Sequence, residues 1–145
     1  MTDIELVDLE PGDGRLVVEV LPVLQELRPH LTPSTFRLVY AEGHPQGLRF
    51  TAAYHAGRCV GVAGWRLVAT TANLRKLYVD DLVTTAEARS TGVGRALLAA
   101  LAQRAEAAGC RVLDLDSAVH RSDAHRFYMR EGLTISSFHF ARELR

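Results

Sequence analysis

Apolar and polar positions along the chain recur with two periods, and the switches between them mark out the elements. "IELVDL" at the start alternates and predicts a short strand. From Asp13 to about Arg28 the apolar side chains return at helical spacing, at Leu16, Val20, Val23, Leu24 and Leu27, and Pro29 closes that helix. "LTPSTFRLVYAEG" predicts a second helix, with Thr32 as its cap ahead of Pro33 in the first turn. "LRFTAAYH" and "RCVGVAGWRLV" flank Ala56 and Gly57, which is the pattern of a hairpin, and "NLRKLYVDDLVT" follows as a third long strand.

The second half changes rhythm. A helix is predicted from about Gly92 to Ala108, with Leu97, Leu101 and Ala105 on one face, Leu98 beside them, and Gly109 as its left-handed stop. "RVLDLDS" reads as a short apolar strand. "SDAHRFYMREG" reads as a short helix capped by Ser122 or Asp123 and stopped by Gly132, and "LTISSFHFAREL" alternates like a closing strand. The unit from Leu77 to Ser117 is strand, loop, helix, strand, so its two strands should run parallel with a right-handed crossover. The expected fold is therefore α/β (α+β by some schemes), with a mixed, mostly antiparallel central sheet and helices on both faces.

Composition narrows the function classes. The 145 residues suit a single domain, 1–145, around one core. The 17 basic and 17 acidic residues cancel, which argues against a dedicated nucleic-acid or membrane-surface protein. No apolar stretch is long enough for a bilayer, and "MTDIELVDLE" lacks the layout of a signal peptide, so the expected location is cytoplasmic. Cys59 and Cys110 stand far apart in apolar settings, as buried reduced thiols would, and no paired Cys or His spacing suggests a metal.

The stretch with chemistry in it is "ARSTGVGRALLAAL", from Ala88 to Leu101. A helix N-terminus presents unpaired N–H groups and a positive dipole end, and glycines let a bulky anion reach the backbone. Together they make a phosphate site. "GVGRAL" lacks the Gly-Lys-Ser/Thr ending of a P-loop, and Gly92 and Gly94 lack the third glycine of a dinucleotide fingerprint.

Arg89, Gly92 and Gly94 form an Arg-x-x-Gly-x-Gly pattern that resembles the pyrophosphate-binding signature of the GNAT superfamily of N-acetyltransferases. "AHRFYMREGL" is similar to that superfamily's late motif, and the order of elements fits along essentially all of the chain. The resemblance implies acetyl-CoA as co-substrate and no metal. It places the pyrophosphate on the loop Arg89, Ser90, Thr91, Gly92, Val93, Gly94 and Arg95, and the pantetheine arm beside Leu82, Val83 and Thr84. It also implies that this strand splays from its parallel neighbour to open the acyl-CoA cleft. Arg89, Arg95, Arg121 and Arg126 are candidates to balance the phosphate charge. Relatives often carry asparagine where this chain has Arg121, so the contacts from Arg121 to Ala124 depart from the family pattern.

The reaction so implied moves an acetyl group to a primary amine of a small molecule or peptide through a tetrahedral intermediate. Tyr128 matches the superfamily tyrosine that protonates the leaving thiolate, and a phenol, with a reference pKa near 10, is protonated at neutral pH. Asp80 and Asp81 are the candidate bases, two carboxylates in an otherwise apolar strand. Successive strand residues face opposite sides, so one of them should face the acetyl group unless a bulge intervenes. Spacing from the glycine loop matches Asp80 to the acidic position of relatives, and leaves Asp81 to bond backbone or hold the substrate amine. His44, His55, His120, His125 and His139 are rival bases on chemical grounds.

Three other readings stay open at this point: a non-catalytic acyl-CoA sensor on the same fold, a nucleotide-binding module, and transfer through an acyl-cysteine, for which neither thiol has an obvious activating base. Acceptor recognition is expected from about Arg28 to Ser34, from "AEGHPQG" including Glu42, and from "SSFHF". Composition leaves monomer and homodimer open.

Overall fold

A computed structural model describes residues 3–145. Its described strands form one sheet in sequence order, β1 (Glu5–Leu9), β2 (Arg49–His55), β3 (Arg58–Thr70), β4 (Leu74–Thr84) and β5 (Val112–Leu115). The first three pairings are antiparallel and β4 with β5 is parallel. The β2–β3 hairpin turns on Ala56 and Gly57, both at positive φ (49° and 77°), which is the geometry of a tight turn whose twist matches the flanking strands. Helices α1 (Leu21–Leu24) and α2 (Pro33–Gly43) cover one face, and α3 (Val93–Ala107) covers the other.

Alternation along the strands sorts the side chains between these faces. Ala52 and Val62 pack with Phe36 and Tyr40 of α2, while their neighbours Ala53 and Ala63 pack with Leu97 and Leu101 of α3. The α2 side is locked by edge-on aromatic pairs, Phe36–Phe50 at 5.4 Å and Tyr40–Phe50 at 4.8 Å. The buried Tyr40 hydroxyl donates to the carbonyl oxygen of Leu9 at 2.6 Å. Tyr40→Phe keeps the ring and strands that carbonyl, so chemical denaturation should show a loss of about 1 kcal/mol.

The helix starts are legible in local chemistry. Thr32 and Thr35 exchange side-chain to backbone hydrogen bonds around Pro33, a reciprocal cap, as the position of Thr32 predicts. Gly109 and Gly132 stand at positive φ beyond the ends of α3 and of α4 (Ser122–Arg130).

Three local expectations are corrected. The helix expected from Asp13 to Arg28 is a π-helical turn, Leu16–Val20, running into α1 and then into successive turns. Leu21 N–H reaches back to Leu16 O, and Pro22, one residue on, has no N–H to continue a regular ladder. Arg121, not Ser122 or Asp123, occupies the position ahead of α4, and no side chain caps that helix. "LTISSFHFAREL" does not close the sheet. Residues 133–145 form no strand and stand largely exposed; alternation makes a segment fit for pairing, but no backbone ladder joins it to the edge strand β5.

Candidate active site

The β4–β5 ladder runs from Lys76–Val112 to Val79–Leu115 and stops. β4 continues through Asp80 to Thr84 still paired to β3 but no longer to β5, so its other edge opens into a gap. Between that edge, the loop before α3, and α4 lies a cavity of about 770 Å³, the size of a small-molecule or cofactor site. Leu82, Val83, Thr84, Arg89, Ser90, Gly92, Gly94, Arg95, Arg121, Ala124 and Tyr128 all line it, together with Arg126. Thr91 and Val93 do not: Val93 is buried in the core under α3, and the Thr91 hydroxyl is turned to Ala88 O.

The loop before α3 turns on two left-handed residues. Ser90 and Gly92 both adopt positive φ (64° and 94°), and such a left-handed loop gathers successive N–H groups into a concavity. The N–H groups of Val93, Gly94 and Arg95 precede the first α3 hydrogen bond, which Ala96 N–H makes to Gly92 O. Gly94 also sits in a closely packed position. A Cβ there would lie 3.3 Å from the Phe127 ring and 3.7 Å from the Thr84 methyl, so α3, α4 and β4 converge on a residue without a side chain. The lining carries several guanidinium groups, and Arg95 bridges at 3.5 Å to Glu131, the residue just past α4.

Tyr128 stands on the α4 wall with Phe127 beside it, ring centroids 5.5 Å apart. Burial raises the phenol above its ordinary range, and Arg121 beside it pulls partly the other way. The hydroxyl therefore holds its proton at neutral pH. Sequence reasoning did not include Ala88, Phe127, Arg130 and Glu131 in the lining. Helical spacing from Tyr128 was the available signal, since Ala124 and Glu131 share its face at i−4 and i+3.

Asp80 and Asp81 lie just outside the lining, at the point where β4 leaves β5. A bulge sits there: Gly64 opposes Asp81 and Trp65 opposes Val79, leaving Asp80 extra. Face parity switches across it. Leu77 and Val79 pack with α3, and so does Leu82, which without the bulge would face the other way. Both carboxylates therefore point to the α1–α2 side. Arg66 grips both oxygens of Asp80 at 3.0 Å each. Arg28, from the turn after α1, donates to Asp81 Oδ1 at 2.8 Å and to Asp80 O at 3.1 Å. Burial lifts the Asp81 carboxyl above the usual carboxylate range, with Arg28 opposing.

Of the histidines, His120 alone lines the cavity among the described residues. His44 meets Glu10, His55 meets Asp3 O, His125 meets Ala118 O and His139 meets Asp116. Burial pushes the Cys59 thiol up to about 11, which suits an inert side chain. Among the described residues, no group of three or more His, Cys, Asp or Glu could hold a metal ion, and no helix is long and apolar enough to cross a membrane.

Comparison with known proteins bears on this geometry. Residues 18–133 match the family model described as Acetyltransferase (GNAT) family. The chain is 32% identical over 126 residues to the uncharacterized N-acetyltransferase YhdJ of Bacillus subtilis, covering 86% of this chain and 89% of that protein. It is 38% identical over 66 residues to the aminoalkylphosphonate N-acetyltransferase of Salmonella typhimurium, covering 46% of this chain and 43% of that protein. The fold matches the structure of AAC(6')-Iy in complex with a bisubstrate analog, CoA-S-monomethyl-acetylneamine, with a TM-score of 0.82 at 15% identity over 99% of each chain.

Proposed function

The chain belongs to the acetyltransferase (GNAT) family and is an acyltransferase, and from that premise we propose that it moves an acetyl group from acetyl-CoA directly to a primary amine of a small molecule or peptide, with Tyr128 as general acid. The observation that carries this reading is the single cavity in which the anion-facing loop, the open β4 edge and the Tyr128 phenol meet. The donor set fits the co-substrate. Loop N–H groups with Arg89, Arg95 and Arg121 suit its phosphates, and the free edge at Leu82–Thr84 suits the amide groups of its pantetheine arm.

The chain's own groups then divide the proton work. A thioester is already activated, so no enzyme nucleophile is needed. The neutral amine adds its lone pair to the thioester carbonyl, forming the C–N bond of a tetrahedral intermediate; collapse of that intermediate breaks the C–S bond, and the second N–H proton it releases replaces the one given to sulfur. Asp81 takes the proton the acceptor ammonium must lose, directly or through water, and Tyr128 gives its proton to the departing sulfur. Asp81 is preferred to Asp80 because Arg66 occupies both Asp80 oxygens, whereas a single Asp81 oxygen is engaged by Arg28.

A pH profile tests this division. A raised Asp81 pKa means the carboxylate is lost at a higher pH than an ordinary aspartate as the solution is acidified, so kcat/KM should fall on the acid side. Asp81→Asn should lose most rate at low pH and regain part of it as pH rises and free amine accumulates. Asp80→Asn should lose rate by a similar factor at every pH. A flat loss for Asp81→Asn would sink its role in proton removal.

The acceptor reading rests on Arg28. Its guanidinium is half-exposed beside Asp81, which places a cation next to a carboxylate at the acceptor end. That pairing suits a small amine that also carries an acid group, the class to which aminoalkylphosphonates belong. Free-thiol release from acetyl-CoA across a panel of aminoalkylphosphonates, amino acids, aminoglycosides and N-terminal peptides ranks these acceptors. Tight acetyl-CoA binding with no thiol release from any amine would favour the non-catalytic sensor instead.

A further inference from the structure

The turn between α1 and α2 sends one side chain across to β4. Arg28 donates from Nε to Asp81 Oδ1 at 2.8 Å and from Nη2 to the carbonyl oxygen of Asp80 at 3.1 Å. Its side chain is 44% exposed, against 25% for Arg66, which is fixed strand to strand on both oxygens of Asp80. Arg28 therefore has the looser of the two grips. The turn that carries it is anchored elsewhere. Gln25 Nε2 donates to Leu31 O at 2.8 Å, Glu26 Oε1 accepts from Ala86 N–H at 3.1 Å, and Arg28 N–H donates to Leu24 O at 2.8 Å. A guanidinium on a long stem, half in solvent, changes partner without moving that backbone.

The place it holds is the one a substrate amine needs. A Cβ built on Gly64 would lie 3.0 Å from Asp81 Oδ2 and 2.9 Å from the ring of the buried Phe50, so Oδ2 lies on the core side. Oδ1 is turned to the α1–α2 turn, and the guanidinium sits on it. This inference rests on the reading that Asp81 takes the ammonium proton. On that reading, an ammonium reaches Oδ1 only when Arg28 gives it up.

Charge decides which amines can take that place. A simple alkylamine that pairs with Asp81 leaves the guanidinium without an anion, and Asp80 has no oxygen to spare because Arg66 holds both. An amine that also carries a carboxylate or phosphonate exchanges one ion pair for two, ammonium to Asp81 and acid group to Arg28. Each charge of the cluster stays paired, and the guanidinium fork matches the oxygens of the acid group.

We infer that Arg28 is the specificity-determining residue of the acceptor site: it stands on Asp81 in the place of the acceptor's ammonium, and the acid group of an amino acid or aminoalkylphosphonate draws it off. Selectivity then lies in releasing the base as well as in holding the acid group. Release also changes the base. Burial and Asp80 raise the Asp81 carboxyl, while Arg28 and Arg66 hold it down, so loss of the Arg28 contact moves it further up, toward the pH at which a base works.

Steady-state thiol release with 2-aminoethylphosphonate, β-alanine and propylamine compares a phosphonate, a carboxylate and no acid group on amines of similar length. The unaltered chain should prefer an acid-bearing amine to propylamine by roughly tenfold or more in kcat/KM, and the better of the two identifies the acid group. In Arg28→Ala that preference should close from both sides. At neutral pH kcat/KM should fall for the acid-bearing amine and rise for propylamine, and the acid limb of the propylamine profile should move to higher pH. Arg28→Lys keeps the charge without the fork and should lie between the two proteins on the same scale. Calorimetry with acetyl-CoA should give Arg28→Ala the affinity of the unaltered chain, since Arg28 stands outside the cavity lining. An equal loss on every amine makes Arg28 a structural residue and overturns the inference, as does an unaltered chain without the preference. Thiol release with none of the amines, from a chain that binds acetyl-CoA, overturns the transfer reading itself and this inference with it.

Discussion

Tyr128→Phe is expected to lower turnover roughly 10²-fold or more while leaving acetyl-CoA affinity almost unchanged. The substitution removes one oxygen and keeps a ring that packs beside Phe127, so the α4 wall should survive. The phenol is held protonated by burial, and Arg121 beside it limits how far its acidity is suppressed. If that proton goes to the departing sulfur, the interaction belongs to the transition state, and kcat and kcat/KM should fall together. A donor thioester with a less basic thiol needs less help to depart and should be affected less. Calorimetry gives the affinity, and steady-state assay of free thiol gives the rates. Near-normal turnover of Tyr128→Phe on a good acceptor would return Tyr128 to a packing role.

The second large effect is expected at Gly94. Gly94→Val should weaken acetyl-CoA binding at least tenfold, which is about 1.4 kcal/mol for each factor of ten. The first added carbon already lies 3.3 Å from the Phe127 ring, and the two methyl groups beyond it must push α4 outward or fill the approach to the loop N–H groups. Gly92 offers a contrast. No atom lies within 4 Å of a Cβ built there, but its φ of 94° is unfavourable for any side chain. Gly92→Ala should therefore act through loop conformation, costing about 1–2 kcal/mol of local strain, with a smaller effect on affinity than Gly94→Val. Unchanged affinity in a folded Gly94→Val variant would remove the loop from the co-substrate site.

These two predictions differ in how far the sequence alone could carry them. The tyrosine and the glycines are visible as motifs, because a helix cap, a left-handed turn and an aromatic pair before a stop glycine are local patterns. That Gly94 faces Phe127, some thirty positions later in the chain, is a packing fact. It gives the glycine a steric role in addition to the approach it allows an anion.

What the sequence determined by itself was set within a few residues at a time. The apolar stripe of α3, the Thr32 cap, the Ala56–Gly57 turn, the stops at Gly109 and Gly132, and the strand-loop-helix-strand order all follow from local periodicity and turn chemistry, and together they specify the sheet and its parallel pair. Tertiary structure decided the rest. The bulge at Asp80 appears only when β4 must match β3 in register, and it turns two adjacent carboxylates to one face, where strand alternation alone would separate them. Their partners, Arg28 and Arg66, come from a distant turn and a neighbouring strand, which no spacing rule links to the aspartates. Residues 133–145 show the same limit from the other side. Alternation made them fit to be a strand, but a strand exists only where its backbone pairs with another, and that is a property of the assembled sheet.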